Sequence, residues 1–341
     1  MRKTAILHAG LSAIALAAAG QSAAADELIV GGFGGNFAKA VEACHIPAFA
    51  AATGDTVVLQ EGNSSQLAAT IRATRGQSDY DIVYIDNSFS TQLAAESLLE
   101  QIAVEGLTNA PDLVAGAISE DKTAVQYQWG ATALAYDPEV FPTAPDSWEA
   151  IFDPANQGKI ALPDIAGTAG VHFLIAAAKL RGGDIDNLDP GFAAIKEITP
   201  GIVAYYSQAD QLISMFERKE VALAPWYPDR AAAAADAGLK IATVYPKEGA
   251  IGIKVTLVIP KGAQNPEAAL KYIDAVLAPE VQSCFAEKMY AGPVNTKTEL
   301  TGRAAETVPQ SVYEALYFPD PATVAQNVAD WRQRWQREIT R

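Results

Sequence analysis

Histidine and cysteine, the side chains that most often carry metal and nucleophilic chemistry, are scarce: three and two in a chain of 341 residues. There is no H-E-x-x-H helix, no C-x-x-C pair, no G-x-S-x-G elbow and no Walker loop, so the common hydrolase, redox and nucleotide-hydrolysing sites are excluded. Positive charge is short as well. Lys and Arg number 25 against 40 Asp and Glu, a formal charge of -15 that becomes -17 when Arg2 and Lys3 are set aside. Phosphate backbones and anionic lipid repel such a chain, which argues against nucleic acid as a partner and is compatible with a cationic ligand. No low-complexity tract or repeat interrupts a sequence that is 50% hydrophobic, so a globular protein with room for two domains is expected.

What is present begins with export. Arg2 and Lys3 precede an uncharged run from Thr4, rich in Ala and Gly, that ends at Ala23-Ala24-Ala25. This predicts a secretory signal peptide over 1–25, cut before Asp26; a membrane anchor would carry a more apolar run. No cysteine stands at the cut, which points to a soluble, monomeric periplasmic protein rather than a lipoprotein. That compartment permits disulfides. Cys44 follows Phe37 and Val41 on one helical face and Cys284 follows Val281 on another, so both point inward, either as buried thiols or as a Cys44–Cys284 bridge.

Apolar runs and helical periods alternate along the chain. "YDIVYID" reads as a buried parallel strand followed by the helix "STQLAAESLL", and "GKIALPD", "GIVAYY" and "VALAPW" repeat the pattern with helices between them. Alternation of this kind specifies an α/β fold with a mostly parallel sheet covered by helices. Two long extended segments, "AVQYQWGATALAYDPEVF" and "GAIGIKVTLVIPKG", enclose a complete α/β unit. They predict that the chain crosses into a second lobe and returns: 26–130 with 252–312 as one lobe, 131–251 as the other, and 313–341 as a docked helical segment. In that segment Val324, Val328, Trp331, Trp335 and Ile339 recur at helical spacing behind Asp320 and Pro321, the stripe of a helix packed on its own protein.

The stretch "LIVGGFGGNFAKAV" resembles a dinucleotide-binding turn, but from Gly32 it reads Gly, Phe, Gly, Gly, Asn, Phe and the third glycine is missing. No cofactor is expected. Glycines after a strand still allow close approach of the backbone to a small solute.

The order of these segments resembles the solute-binding proteins of ABC importers, with the two-lobed type II periplasmic binding fold, and among them the spermidine/putrescine-binding group. The resemblance rests on "YDIVYIDNSF", "WGATALAYDPEVF" with "SWEAIFDPANQGKIALPD", "VYPKEGAIGIKVTLVIPKGAQNPEAALKYIDAVLAPEV" and "YFPDPATV", and covers nearly the whole exported chain. It implies a small-molecule solute held between two lobes joined by crossover segments, delivery to an inner-membrane permease, and no catalysis. Polyamine-binding members carry an aromatic and an acidic residue on the return crossover where this chain reads Ile253-Lys254-Val255.

Ligands of open α/β sheets sit beyond the carboxyl ends of strands. The candidates there are Phe33, Gly34, Gly35 and Asn36; Asp86 and Asn87; Asp164, Gly167 and Thr168; Tyr206 and Ser207; and Trp226, Tyr227 and Asp229, with Trp129 on the first crossover as a wall. Core packing is the competing role for the aromatics, and helix capping for Asp86 and Asp164. The carboxylates and indoles suit an amine through charge and cation–π contact, whereas "DIAGTAGVHF" offers small residues at a helix start, a seat for an anion. A polyamine-like solute or an amino acid or aminophosphonate is therefore expected. A ferric-ion or sugar-phosphate or polyol carrier of the same fold is the alternative, and a periplasmic enzyme a more distant one. Iron-binding relatives use neighbouring tyrosines where this chain has Trp226-Tyr227, and Tyr205-Tyr206 does not replace them, because adjacent strand residues face opposite sides.

Overall fold

The computed structural model describes residues 27–340; the expected signal peptide lies outside them. β-Branched and apolar runs form three parallel strands first: β1 (Glu27–Gly32), β2 (Thr56–Glu61) and β3 (Ile82–Asp86), with β1 between the others. The helices between them are α1 (Asn36–Ala40), which runs through a π turn at Val41–His45 into α2 (Ile46–Thr53), and α3 (Ser64–Thr74); α4 (Asn87–Ala95) follows β3. A capping box starts α3: Asn63 Oδ1 accepts from Gln66 N–H at 3.0 Å and Gln66 Oε1 accepts from Asn63 N–H at 3.0 Å. Such caps contribute about 1 kcal/mol.

The first crossover is β4 (Ala124–Tyr136), thirteen residues long and therefore able to serve two sheets. Its first half pairs antiparallel with the return crossover β9 (Ile251–Val258), which also pairs with β3; its second half pairs with β7 (Leu223–Trp226) and β8 (Ala242–Val244). Between the crossovers come α5 (Glu149–Phe152), β5 (Ile160–Pro163), α6 (Thr168–Leu180), α7 (Asp189–Ile198), β6 (Ile202–Tyr206), α8 (Ala209–Glu217) and, after β7, α9 (Pro228–Asp236). β5 lies parallel to both β6 and β7. The return brings α10 (Pro266–Val276), α11 (Pro279–Met289), β10 (Gly292–Pro293), α12 (Gly302–Thr307) and finally α13 (Pro321–Glu338). The strand order β2-β1-β3-β9-β4-β7-β5-β6 is thus a mixed sheet whose halves share β4, the two-lobed α/β architecture expected from the alternation.

Each half has its own interior. Phe37, Phe49, Tyr84, Tyr127, Trp129 and Tyr272 centre the first; Trp148, Phe173, Phe192 and Leu174 centre the second. Trp335 of α13 and Ile339 just past its end join the second core, with Val324, Val328 and Trp331 packed around them. Asp320 caps α13 by accepting from Thr323 N–H at 2.8 Å. Cys44 and Cys284 are joined as a disulfide, Cα to Cα 5.8 Å, tying the π turn to α11. Among the described residues no helix is long and apolar enough to cross a membrane.

Candidate functional site

The carboxyl ends of β3, β5 and β7 face one another across the space between the halves, and two cavities open there. The larger, about 710 Å³, runs between the start of α4, the loop entering α6, and α13; the smaller, about 190 Å³, lies between β4, β9 and the start of α9. Tyr227 and Ile253 line both, so the two are chambers of one cleft.

Asp86 ends β3 opposite Val255 and occupies the N-cap position of α4, yet it makes no capping bond. Its carboxylate accepts from Ser64 Oγ at 2.9 Å, and the same hydroxyl oxygen accepts from Asp86 N–H at 3.1 Å. No cation pairs with it among the described residues, and burial raises its pKa, with the Ser64 bond pulling the other way. An enclosed carboxylate without a cation is costly, and an arriving ammonium relieves the cost.

Across the cleft, Tyr227 leaves β7 and its hydroxyl accepts from Ala169 N–H at 3.0 Å in the first turn of α6. Its pKa is pushed up to about 12, first by burial and then by the nearby charges of Asp229 and Asp86. Tyr227 is therefore near both acids. Asp229, in the first turn of α9, is ringed by protein but keeps 33% of its side-chain surface open, and Arg230 approaches it only loosely, at 3.7 Å. Burial raises its pKa too, against the pull of Arg230.

Tyr245 and Tyr290 complete the smaller chamber. The Tyr245 hydroxyl donates to the Thr307 carbonyl at 2.7 Å, and Tyr290, in the left-handed region at φ 51°, donates to Asp236 on α9. Trp129 forms the back wall. Its indole N–H donates to the Pro293 carbonyl at 3.0 Å, and Gly292 lies so close to the ring that a Cβ there would come within 1.9 Å of it. His172 lines the larger chamber; burial holds its pKa down at about 3, so the ring is neutral, with Nδ1 3.0 Å from Thr132 Oγ1.

Of the candidates picked from strand ends, Asp86, Asn87, Gly167, Thr168, Tyr227, Asp229 and Trp129 line the two chambers. The others lie off them. Trp226 shares its strand face with Ala224 and is packed in the core at 1% exposure, so the alternation of β7 turns Tyr227 to the cleft instead. Tyr206 is likewise buried, its hydroxyl donating to the Pro225 carbonyl. Its neighbour Tyr205, turned to the opposite face of β6, is half-buried and packs edge-on against Trp335. Ser207 bonds Gln211 on the surface, and Asp164 accepts from Ala166 N–H at 2.8 Å to shape the loop before α6. Phe33 packs against Phe37, and the glycine turn answers to a neighbour: a Cβ on Gly34 would meet Glu61 Oε2 at 2.2 Å, and Gly35 has φ 69°. Gly34, Gly35 and Asn36 are exposed and line neither chamber. Tyr245 and Tyr290 were not among the candidates. Tyr245 follows the carboxyl end of β8, the same position that singled out Tyr227 after β7, whereas Tyr290 is set by a left-handed helix end that no local pattern announces.

Residues 46–309 match the profile of the bacterial extracellular solute-binding proteins, and the chain belongs to that family. Its relatives include the spermidine/putrescine-binding periplasmic protein of Escherichia coli, 26% identical over 302 residues that span 85% of this chain and 82% of the relative. The gamma-aminobutyric acid-binding protein of Pseudomonas aeruginosa is 26% identical over 318 residues, 90% of this chain and 86% of the relative. Among solved structures, an ABC transporter protein from Clostridium perfringens superposes with a TM-score of 0.81 at 25% identity, covering 92% of this chain and 99% of that one.

Proposed function

We propose that this member of the extracellular solute-binding family is the periplasmic capture component of an ABC importer, that it closes two lobes on a small amine-bearing solute, and that it delivers the solute to an inner-membrane permease without chemical change. In this reading 26–130 with 252–312 form one lobe, 131–251 the other, and 313–341 a segment docked on both. Asp86, Asn87, Gly167, Thr168, Tyr227 and Asp229 hold the ligand, with the buried Trp129 as the wall behind them.

The observation that carries the reading is Asp86: a carboxylate at a strand end, enclosed in the cleft, bonded only by a serine hydroxyl and facing Tyr227 of the opposite half. An ammonium ion supplies both the charge and the hydrogen bonds it lacks. The relatives named above bind, by their names, polyamines in one case and an amino acid in the other, and amine is their common group.

Thermal unfolding against a panel of polyamines, amino acids, aminophosphonates, betaines, polyols, sugar phosphates and ferric chelates tests it. A solute present at about a thousand times its dissociation constant adds roughly 4 kcal/mol, a clear rise in midpoint. A rise confined to amine-free members, or turnover of any member, sinks the proposal.

A further inference from the structure

Two side chains on the larger chamber are cations that no carboxylate among the described residues holds. Lys254 is half-buried, donates from Nζ to the Gly116 carbonyl at 3.0 Å and stands 4.9 Å from the centre of the Phe318 ring. Strand register brings it to the cleft. β3 stops at Asp86 opposite Val255, and the free edge of β9 is taken up again only at Gly252, whose N–H donates to the Tyr317 carbonyl at 2.8 Å. Ile253 and Lys254 fall in that gap, and both line the chamber.

Arg332 reaches the same chamber from α13 and donates to the carbonyls of Ile165 at 3.4 Å and Ala166 at 3.0 Å, the loop that leads into Gly167 and Thr168. Its neighbour Arg334 is held by Asp189 and by Glu338 at 3.0 Å, so the lack of a carboxylate belongs to position 332 and not to the helix. Of the acids on the chamber, Asp320 is taken by the Thr323 cap and Asp86 bonds only the Ser64 hydroxyl, so neither pairs with Lys254 or Arg332. In a chain of charge -15, two such cations share the larger chamber with Asp86, and Asp229 lies in the smaller chamber beside it, so both signs of charge meet in one cleft. Burial also pulls the Lys254 pKa down, the signature of a charge short of a counter-ion.

Resting on the reading of the cleft as an amine site, we propose that Lys254 and Arg332 set its selectivity: they receive the acid end of a zwitterionic amino acid whose ammonium lies by Asp86, Asp229 and Tyr227, and they exclude diamines. A carboxylate gains charge-assisted bonds from both cations, and the positive end of the α6 dipole adds to them. A diamine of equal length sets its second ammonium against two like charges, at about tenfold or more in affinity.

Calorimetric titration of the purified chain with matched pairs tests this: 4-aminobutanoate against 1,4-diaminobutane, and 5-aminopentanoate against 1,5-diaminopentane. The acid of at least one pair should bind about tenfold or more above its diamine. Lys254→Met with Arg332→Gln should collapse that ratio to one or below. Arg332→Gln alone, at an exposed residue, should lower it without moving the unfolding midpoint. Diamines binding tighter to the native chain, or a ratio that survives both substitutions in folded protein, overturns the inference and leaves the amine carrier standing. Absence of binding by every member of both series overturns the inference, and the amine reading falls with it only if the polyamines, other amino acids and aminophosphonates of the wider panel are silent too.

Discussion

The first half of the molecule gathers buried hydroxyls around an imidazole at its centre, where the second builds its interior mainly from methyl groups. In the first, the Tyr84 hydroxyl lies 2.6 Å from His45 Nδ1 and 2.8 Å from the Tyr272 hydroxyl, and the Phe37 and Phe285 rings pack around them. In the second, the ten residues from Ala169 to Ala178 of α6 are all buried, four of them alanines within Ala169 and Ala176–Ala178. Small residues let α7 approach so closely that a Cβ on Gly191 would stand 2.8 Å from the Leu174 carbonyl. The polar interior fixes directions but leaves His45 Nε2 and the Tyr127 hydroxyl buried without a protein partner. The aliphatic interior fixes shape and is completed by a helix from the far end of the chain. The halves should therefore fail in different ways: the second by loss of packing, the first by reduction and by acid.

Trp335→Ala should do most harm. The side chain is fully buried in the second core, and removing it costs about 3–5 kcal/mol by the usual range for large core aromatics. Denaturant unfolding reads the loss, and hydrogen exchange should show α13 and α7 opening before α1 and α11. A loss under about 1 kcal/mol would mean that α13 is an accessory and that the second half closes its core alone.

Replacing Cys44 and Cys284 by alanine acts on the other half. The bridge spans 240 residues of sequence, and its loss should cost about 2–5 kcal/mol. Exchange should quicken around the π turn and α11 while α6 and α7 keep their protection. Equal quickening in both halves would deny that they open separately.

Acid sharpens the contrast. Burial brings both His45 and His172 from 6.5 down to about 3, one in each half. Between those values the unfolded chain binds more protons than the folded one, so this contribution is fully present above about 6.5 and is lost as pH falls toward 3. Asp86 and Asp229, raised by burial, oppose that trend as they take up protons. His172 borders the larger chamber and can meet water when the cleft opens, whereas His45 is sealed at 0% exposure. His45→Phe should flatten the fall of first-half stability between pH 6.5 and 3, and His172→Gln should flatten it less. The reverse order would locate the acid-sensitive point at the cleft.

The fold was legible because its signals are long-range in sequence. Strand-helix alternation survives errors of a residue or two, the thirteen residues of β4 could only bridge two sheets, and the apolar stripe of α13 recurs over five positions that all pack on the second core. The cleft was legible only in part because facing is decided residue by residue. A single step along β7 separates Trp226 in the core from Tyr227 on the cleft, and Tyr206 turned inward because its hydroxyl found the Pro225 carbonyl. Lys254 and Arg332 escaped because one depends on where β3 stops and the other on where α13 docks. The glycine turn drew attention for its resemblance to a phosphate loop, but it lines neither chamber, and what it requires of glycine is the positive φ of Gly35.

The smallest effect should come from the rim where the halves touch. Asp236 at the end of α9 accepts from the Tyr290 hydroxyl and pairs with Arg303 of α12 at 2.5 Å, while Tyr290 also walls the smaller chamber. Asp236 and Arg303 are each 42% exposed, so water and salt screen the pair and it adds little to folding. Its leverage is on the approach of the halves: contacts made only when they are together add to the affinity of any ligand that needs them together. Asp236→Asn should leave the unfolding midpoint unchanged and weaken amine binding a few-fold, mainly through faster release. Tyr290→Phe, which keeps the ring but loses the hydroxyl, should reproduce most of that change if the ring and the contact act as one unit. An Asp236→Asn protein that unfolds earlier yet binds unaltered would make the contact a brace within the fold rather than a link between the halves.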